Sequence, residues 1–528
     1  MSAVAAALGP RRPPLALLAA GLVVGVGAVL PAAYLAGIVA ANPADALDTV
    51  LDSETALVVL RSLALTAAVC ATAVAVALPL AWLTTRTDLP GRRAWATLAA
   101  LPLVIPSYVG AYLLIAALGP NGLAQDVLGV DRLPSIYGFV GAWLSLALFT
   151  FPLILLPLRS ALRRLDPQLE EAARAMGRGP LDTFRTVAMP QLRPALAAGT
   201  LLVALYVMSD FGAVSIMRFD SFTVEIYVAY RSSFDRTATA ALGAVLVLVM
   251  LVLLWLSFRA GRRGAVHRLG PGPARPPHPY PLGRWRLPAL GFCSAVVAIS
   301  LVLPVGVLVY WAGKGISAGS ITSSLAGALA ANSLMTAALA ALVGGAAALV
   351  VALLAKRFPG PLSGLIERAG HAGYALPGVV VALSLVYFAT RGLPGAYQTV
   401  GLLVFALAVH YLPLGIGPIA AALGQISPRI EEAARGLGRS QLEVFRTITA
   451  PLVRGGIVAG AALVFLHAIK ELPATLILAP TGFETLATEI WEQTTFGFYE
   501  GSAIPALILL AISAPPLYLL SEKGTVTS

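Results

Sequence analysis

Long apolar runs recur along the chain, separated by short polar stretches that carry most of the charge. A hydrocarbon core about 30 Å thick takes roughly 20 residues of α-helix. On that ruler the pattern predicts twelve spans. Six lie near residues 15–40, 63–84, 94–117, 136–158, 194–217 and 238–258. Six more lie near 287–312, 327–354, 364–388, 399–422, 455–478 and 501–520. The runs are rich in Gly and Ala, which let helices approach closely where lipid supplies no hydrophobic drive between them. The expected fold class is all-α and polytopic. The opening run, too long for the core of a signal peptide, is read as a retained first helix.

Composition agrees. Apolar residues make up 58% of the chain and charged residues 12%, with a mean hydropathy of +0.85, whereas an ordinary soluble domain is about a quarter charged. The net charge of +11 raises the question of a nucleic-acid partner. The basic residues lie between the apolar runs, however, and build no basic domain. With the N-terminus inside, 28 of the 36 Lys and Arg residues fall on the cytoplasmic side and 6 in outer loops, with Arg61 and Lys470 inside spans. This is the orientation signal of a membrane protein, and one missed span would invert every later loop. The expected surroundings are therefore a lipid bilayer, with both termini cytoplasmic and no nucleic acid. Cys70 and Cys293 lie in apolar runs and offer neither a disulfide framework nor metal-ligand spacing. Residues 259–286, rich in Pro, Gly and Arg, read as a cytoplasmic linker between a first half at 1–258 and a second at 287–528.

The halves are copies. Residues 170–199 (EEAARAMGRGPLDTFRTVAMPQLRPALAAG) and 431–460 (EEAARGLGRSQLEVFRTITAPLVRGGIVAG) match without gaps at an offset of 261, with 15 of 30 positions identical. Upstream the offset is 271, pairing Ser62 with Ser333 and Pro106 with Pro377, so the first half carries ten extra residues around Asn121–Leu133. The best-preserved stretch is a loop between the fourth and fifth spans of each half. Loops ordinarily vary most, and agreement here suggests that both loops meet the same kind of partner. Each is expected to form a short surface helix, a tight turn at Gly177 or Gly438, and a second helical stretch carrying Phe184-Arg185 or Phe445-Arg446 before Pro190 or Pro451 leads into the next span. A linker helix kept only for packing is the plainer reading, which the repeated Gly and Pro positions disfavour.

The pattern Glu-Ala-Ala, three residues, Gly, then nine residues before a hydrophobic-x-Pro ending resembles the EAA loop of ABC-type importer permeases. Both copies keep Glu, Ala, Ala, Gly and Pro, with Met189 and Ala450 before the Pro. The resemblance implies a type I ABC importer permease fold of two six-helix halves. It also implies that the loop is a coupling helix docking on an ATP-hydrolysing subunit. That role falls to Glu171, Ala172, Ala173, Gly177, Arg185 and Pro190, and to Glu432, Ala433, Ala434, Gly438, Arg446 and Pro451. The implied partners are two copies of an ABC ATPase subunit and an extracytoplasmic solute-binding protein, at a bacterial inner membrane.

No G-x-x-x-x-G-K-[ST] phosphate loop occurs, so ATP hydrolysis belongs to a separate subunit and no cofactor is expected on this chain. Gly315–Gly319 fits a nucleophile-elbow spacing without the strand or the His/Asp partners that motif needs. His267, His278, His371, His410 and His467 are scattered. No enzyme activity is expected.

Ionisable residues inside spans are costly and become functional candidates. Asp210 in the fifth span corresponds to Glu471 in the eleventh, beside Lys470; Arg61 in the second span corresponds to Asn332. These residues either line or gate a path between the halves, or form a structural ion-pair set such as Asp210 with Lys470 or Arg61. The stretches SDFGAVS at 209–215 and KELPATL at 470–476, with FETLATEIW at 483–491, resemble ferric-iron ABC permeases, which are also fused double-length chains. Thiamine permeases share that layout, and polyamine or phosphonate importers are further alternatives. From a different class, an ion-gradient-driven transporter also suits twelve helices in two parallel halves.

Overall fold

The computed structural model describes residues 13–130, 133–165, 169, 172–173, 175–233, 235–261, 279–320 and 322–526. Among these the chain is helical, and the one β-contact is a bridge between Thr87 and Tyr280. Eight helices are long and apolar enough to cross a membrane: Leu15–Ala41, Ser53–Arg86, Phe139–Arg164, Phe184–Ser209, Arg236–Leu256, Gly283–Ala318, Ser323–Arg357 and Gln441–Ala468. Val400–His410 and Leu412–Gln425 form a ninth, bent by 51°. Tyr499–Val526 is the last helix.

Several of the twelve expected segments are not continuous spans. The third bends by 96° between Arg92–Val104 and Ser107–Leu128, and the ninth divides into Pro361–Gly370 and Gly378–Gly392 across a 3₁₀ turn. Pro106 and Pro377 cause both breaks. The residue before a proline is pushed out of the α region, and Ile105 and Leu376 accordingly adopt extended backbone with ψ 118° each. The fifth and eleventh segments also stop short, at Ser209 and Ala468, before short helices at Gly212–Ile216 and Pro473–Leu478.

Close packing follows the repeat. A Cβ added at Gly199 would sit 2.8 Å from the Ile154 Cα, and one at Gly460 would sit 2.8 Å from the Gly415 carbonyl oxygen. Gly199 and Gly460 are equivalent at offset 261, as are Ile154 and Gly415, so the fourth–fifth and tenth–eleventh contacts are the same backbone approach made twice. Only glycine permits it.

The first helix of each half packs on the last helix of its own half and also reaches across to the other half. Leu15–Ala41 lies on the second half: its Gly21 faces Leu354 and Ile366, and Tyr34 Oη donates to the Tyr387 carbonyl at 3.0 Å. Gly283–Ala318 lies on the first half, where Trp311 Nε1 donates to the Ala116 carbonyl at 3.0 Å. Within the ten extra residues, Asp126 accepts from Lys314 Nζ at 3.1 Å and Tyr310 Oη at 3.2 Å. The Lys314 ammonium holds that carboxyl below the usual carboxylate range. Each half thus embraces the other.

Most of the expected linker lies outside the described residues. Its far end is fastened to the second helix: Tyr280 N–H donates to the Arg86 carbonyl at 2.7 Å, and its ring lies 5.5 Å from that of Trp82.

Candidate functional site

A helix broken inside a bilayer leaves backbone N–H groups that no water satisfies. Each half answers with a carboxylate. Asp210, in extended backbone just past Ser209, accepts from the N–H groups of Ala213 at 2.9 Å and Val214 at 3.4 Å, at the start of Gly212–Ile216. Glu471 accepts from Ala474 N–H at 3.2 Å, at the start of Pro473–Leu478. A negative group suits a helix N-terminus both as acceptor and as charge. Each carboxylate also has a donor from another element, the Ser107 hydroxyl for Asp210 and the Tyr411 hydroxyl for Glu471. The counterpart of Ser107 at offset 271 is Gly378, where an added Cβ would collide with the Glu471 carboxylate. Glu reaches one methylene further than Asp. The second half therefore lacks a side chain where the first half uses one.

The two breaks meet. A Cβ at Gly212 would lie 2.7 Å from Tyr108 Cβ and 3.3 Å from Leu472 Cδ2, next to Glu471. Asp210 stands two residues before Gly212 in that contact and Glu471 one residue before Leu472. Lys470 Nζ donates across the halves to the Val104 carbonyl at 2.7 Å, and Trp491 Nε1 to Ser215 Oγ at 3.0 Å. The structure thus gathers Asp210, Glu471 and Lys470 at the junction. Neither Lys470 nor Arg61 forms an ion pair with Asp210.

Arg61 and Asn332 lie elsewhere. Arg61 pairs with Asp220 at 3.2 Å in an exposed setting, and Asn332 Nδ2 donates to the Glu484 carbonyl at 2.9 Å. Their neighbours Ser62 and Ser333 accept from Phe222 N–H at 3.1 Å and Leu486 N–H at 2.8 Å. All four contacts pin the segment that returns after the break, so this pair holds a loop and does not touch the carboxylates.

The matched loops form elbows beside the ends of the second and eighth helices. Gly177 and Gly438 have φ of +83° and +86°. The following N–H reaches five residues back, from Arg178 to the Ala173 carbonyl at 3.2 Å and from Arg439 to the Ala434 carbonyl at 3.3 Å. This closes a Schellman-type helix end. A Cβ at either glycine would meet nothing, so the requirement for glycine is conformational. Arg178 and Arg439 then donate to the hydroxyls of Thr186 and Thr447 at 2.8 and 3.1 Å. A π-helical turn follows at Phe184–Ala188 and at Phe445–Thr449. It absorbs the misfit of Pro190 and Pro451, which lack an N–H and crowd the carbonyl four residues back. Ala172, Ala433, Arg185 and Arg446 are exposed, Ala173 and Ala434 are buried, and Glu432 is half-buried. Glu171 lies outside the described residues.

Two features escaped the sequence reading. Glu431, one residue before the motif, is nearly buried and accepts from Arg357 Nε at 2.9 Å and Thr449 Oγ1 at 3.0 Å. Arg357 ends the eighth helix, so this pair ties the elbow to a span. Its counterpart at offset 271 is Arg86, also buried; the counterpart of Glu431, Glu170, lies outside the described residues. An Arg repeated at the last turn of two equivalent spans was the available signal. The second feature is an exposed apolar side chain just before each elbow glycine, Met176 at 73% and Leu437 at 85% exposure.

Two interlocked bundles on one chain, helix breaks at their junction and a matched elbow on each define a multi-pass membrane transport permease. The family model described as "Binding-protein-dependent transport system inner membrane component" matches residues 73–263 and again 344–520, and the chain belongs to that family. The two matches and the all-helical architecture are those of a type I ABC importer permease fold. Among its relatives, the "Fe(3+)-transport system permease protein FbpB 2" of Haemophilus influenzae is 32% identical over 97% of this chain and 99% of its own length. The "Ferric transport system permease protein FbpB" of Actinobacillus pleuropneumoniae is 24% identical over 78% of this chain and 63% of its own length. The "Sulfate transport system permease protein CysT" of Salmonella typhimurium is 30% identical over 36% of this chain and 71% of its own length.

Proposed function

We propose that this chain is the permease subunit of a ferric-iron importer in a bacterial inner membrane, with both termini cytoplasmic. It receives its cargo from an extracytoplasmic binding protein. Two copies of an ABC ATPase drive it, seated on the two elbows, and ATP is used by those partners while the chain itself binds no cofactor. The observation that carries the substrate is the likeness to a Fe(3+)-transport permease across both halves and nearly the full length of both chains. The relative named for sulfate matches only a third of this chain.

The elbows supply the mechanics. The Schellman turn at Gly177 and Gly438 fixes the exit angle of a short helix, and Met176 and Leu437 project from its end into open space. The Glu431–Arg357 pair and the continuous helix Gln441–Ala468 join that surface rigidly to the membrane bundle. Movement of a docked ATPase would therefore be passed to the helix that ends at the Glu471 break.

The test is uptake of radiolabelled ferric citrate by vesicles containing the chain, its ATPase and its binding protein. ATP-dependent iron uptake is expected. Uptake of thiamine or sulfate in place of iron would overturn the substrate, and uptake persisting without the ATPase would overturn the coupling. Cysteines placed at positions 177 and 438 should react with an impermeant thiol reagent only from the cytoplasmic face.

A further inference from the structure

The two helix breaks meet around a set of oxygen donors larger than the carboxylates alone. Tyr108 is 97% buried and its hydroxyl has no hydrogen-bond partner. It follows Ser107, which donates to Asp210, and packs on Gly212, which also faces Leu472 next to Glu471; Tyr411 donates to Glu471. Tyr206 lies one helical turn before Asp210, in the helix Met189–Ser209 that Asp210 ends. Asp210 and Glu471 come from equivalent positions of the two halves, so the donors surround the line along which the halves are joined. Lys470, the nearest cation in sequence, is turned to the Val104 carbonyl and neutralises neither acid.

Two features of this cluster are expensive unless something binds there. A buried hydroxyl left unsatisfied costs about 1–3 kcal/mol, and Tyr108 could shed that cost by being phenylalanine. Two acids of like charge share a low-dielectric junction with no basic partner, a repulsion relieved when one takes up a proton or when a cation visits. Tyr206 is 37% exposed and His467, its equivalent at offset 261, is exposed as well, with the His467 ring 5.5 Å from that of Tyr411.

We propose that Asp210, Glu471 and the phenol oxygens of Tyr108, Tyr206 and Tyr411 form a transient coordination site for a hard, oxygen-seeking cation at the meeting point of the two broken helices. Carboxylate and phenolate oxygens suit a hard cation such as Fe(III), while sulfur is absent from the set. Binding releases the phenolic protons to water and needs no change in oxidation state. A way-station must also let go, and the existing bonds of each carboxylate to Ser107, Tyr411 and the helix N-termini are ready to re-form when the ion leaves. The iron assignment rests on the proposed function; the site itself rests on the geometry.

The decisive variant is Tyr108→Phe, because the hydroxyl it removes makes no bond within the protein. A purely structural role predicts equal or higher thermal stability and unchanged uptake. The way-station predicts equal or higher stability with iron uptake reduced at least about tenfold, the loss seen even for outer-shell partners of a metal. Asp210→Asn and Glu471→Gln, which keep an acceptor at each helix start, should also lose uptake while still co-purifying with the ATPase. Ferric citrate added to the detergent-purified full chain should produce a visible phenolate-to-iron absorption that weakens in Tyr108→Phe, whereas gallium(III) citrate should compete without colour. If wild type imports iron and all three variants import it equally well, the site is wrong and the importer assignment stands. If wild type imports a different solute, the importer assignment is wrong, and the titration then judges the site alone, with no absorption overturning it.

Discussion

Gly378→Ser asks whether the two carboxylate locks are length-matched to their surroundings. A Cβ at position 378 would collide with Glu471 Oε1 and lie 3.3 Å from its Cδ and 3.5 Å from Pro473 Cγ. Pro473 opens a short helix and has little room to give, so the carboxylate must swing away from the donors Tyr411 and Ala474. Loss of one hydrogen bond to a charged group costs about 1.5–3 kcal/mol. Crowding a packed site adds about 1 kcal/mol or more, for a total of about 2.5–4 kcal/mol. Glu471→Asp shortens the acid by one methylene and, combined with Gly378→Ser, rebuilds the Ser107–Asp210 arrangement of the first half. The double variant should be more stable than Gly378→Ser alone, with a coupling energy of about 1.5 kcal/mol or more, inside the range found for residues in contact. The mirror experiment, Ser107→Gly with Asp210→Glu, should behave alike. Thermal unfolding of the four detergent-purified proteins closes each cycle. Effects that add to within about 0.5 kcal/mol, or a silent Gly378→Ser, would refute the matching.

Arg357→Ala leaves Glu431 nearly buried without its counter-charge, which should cost about 3–5 kcal/mol and weaken co-purification of the ATPase; adding Glu431→Gln should recover part of the loss, read as a rise in thermal midpoint. Gly438→Val forces a β-branched residue to φ +86° and should cost at least about 1–2 kcal/mol, with ATPase binding falling in parallel, while Gly438→Asn, which tolerates that region, should cost less. Arg61→Ala removes an exposed pair with side chains 43% and 61% accessible and should change stability by less than about 1 kcal/mol, with iron uptake near wild type, in contrast to Asp210→Asn.

Much of this protein is legible in one dimension because its solvent is a bilayer. Lipid demands about 20 apolar residues for each complete crossing and penalises buried charge, so the apolar segments and the exceptional acids Asp210 and Glu471 stand out from the chain itself. Duplication supplied an internal control: Gly177 with Gly438 and Pro190 with Pro451 could be compared without any relative, and both glycines adopt the positive φ their spacing predicts. The prolines at 106 and 377 were equally visible in register. Proline forbids the helix at the residue before it, but the 96° turn that follows is set by what each fragment packs against, and here the local sequence is silent.

The tertiary structure alone decided who meets whom. That the first helix of each half embraces the other half depends on complementary surfaces far apart in the chain, such as Gly21 against Leu354 and Trp311 against Ala116. That Arg61 and Asn332 pin a returning loop while Lys470 reaches Val104 follows from the depth at which each helix sits. The orphaned hydroxyl of Tyr108 is invisible in sequence, where a tyrosine within an apolar run reads as ordinary core. Hydropathy is a property of residues, whereas satisfaction of a buried polar atom is a property of neighbours, and neighbours exist only after folding.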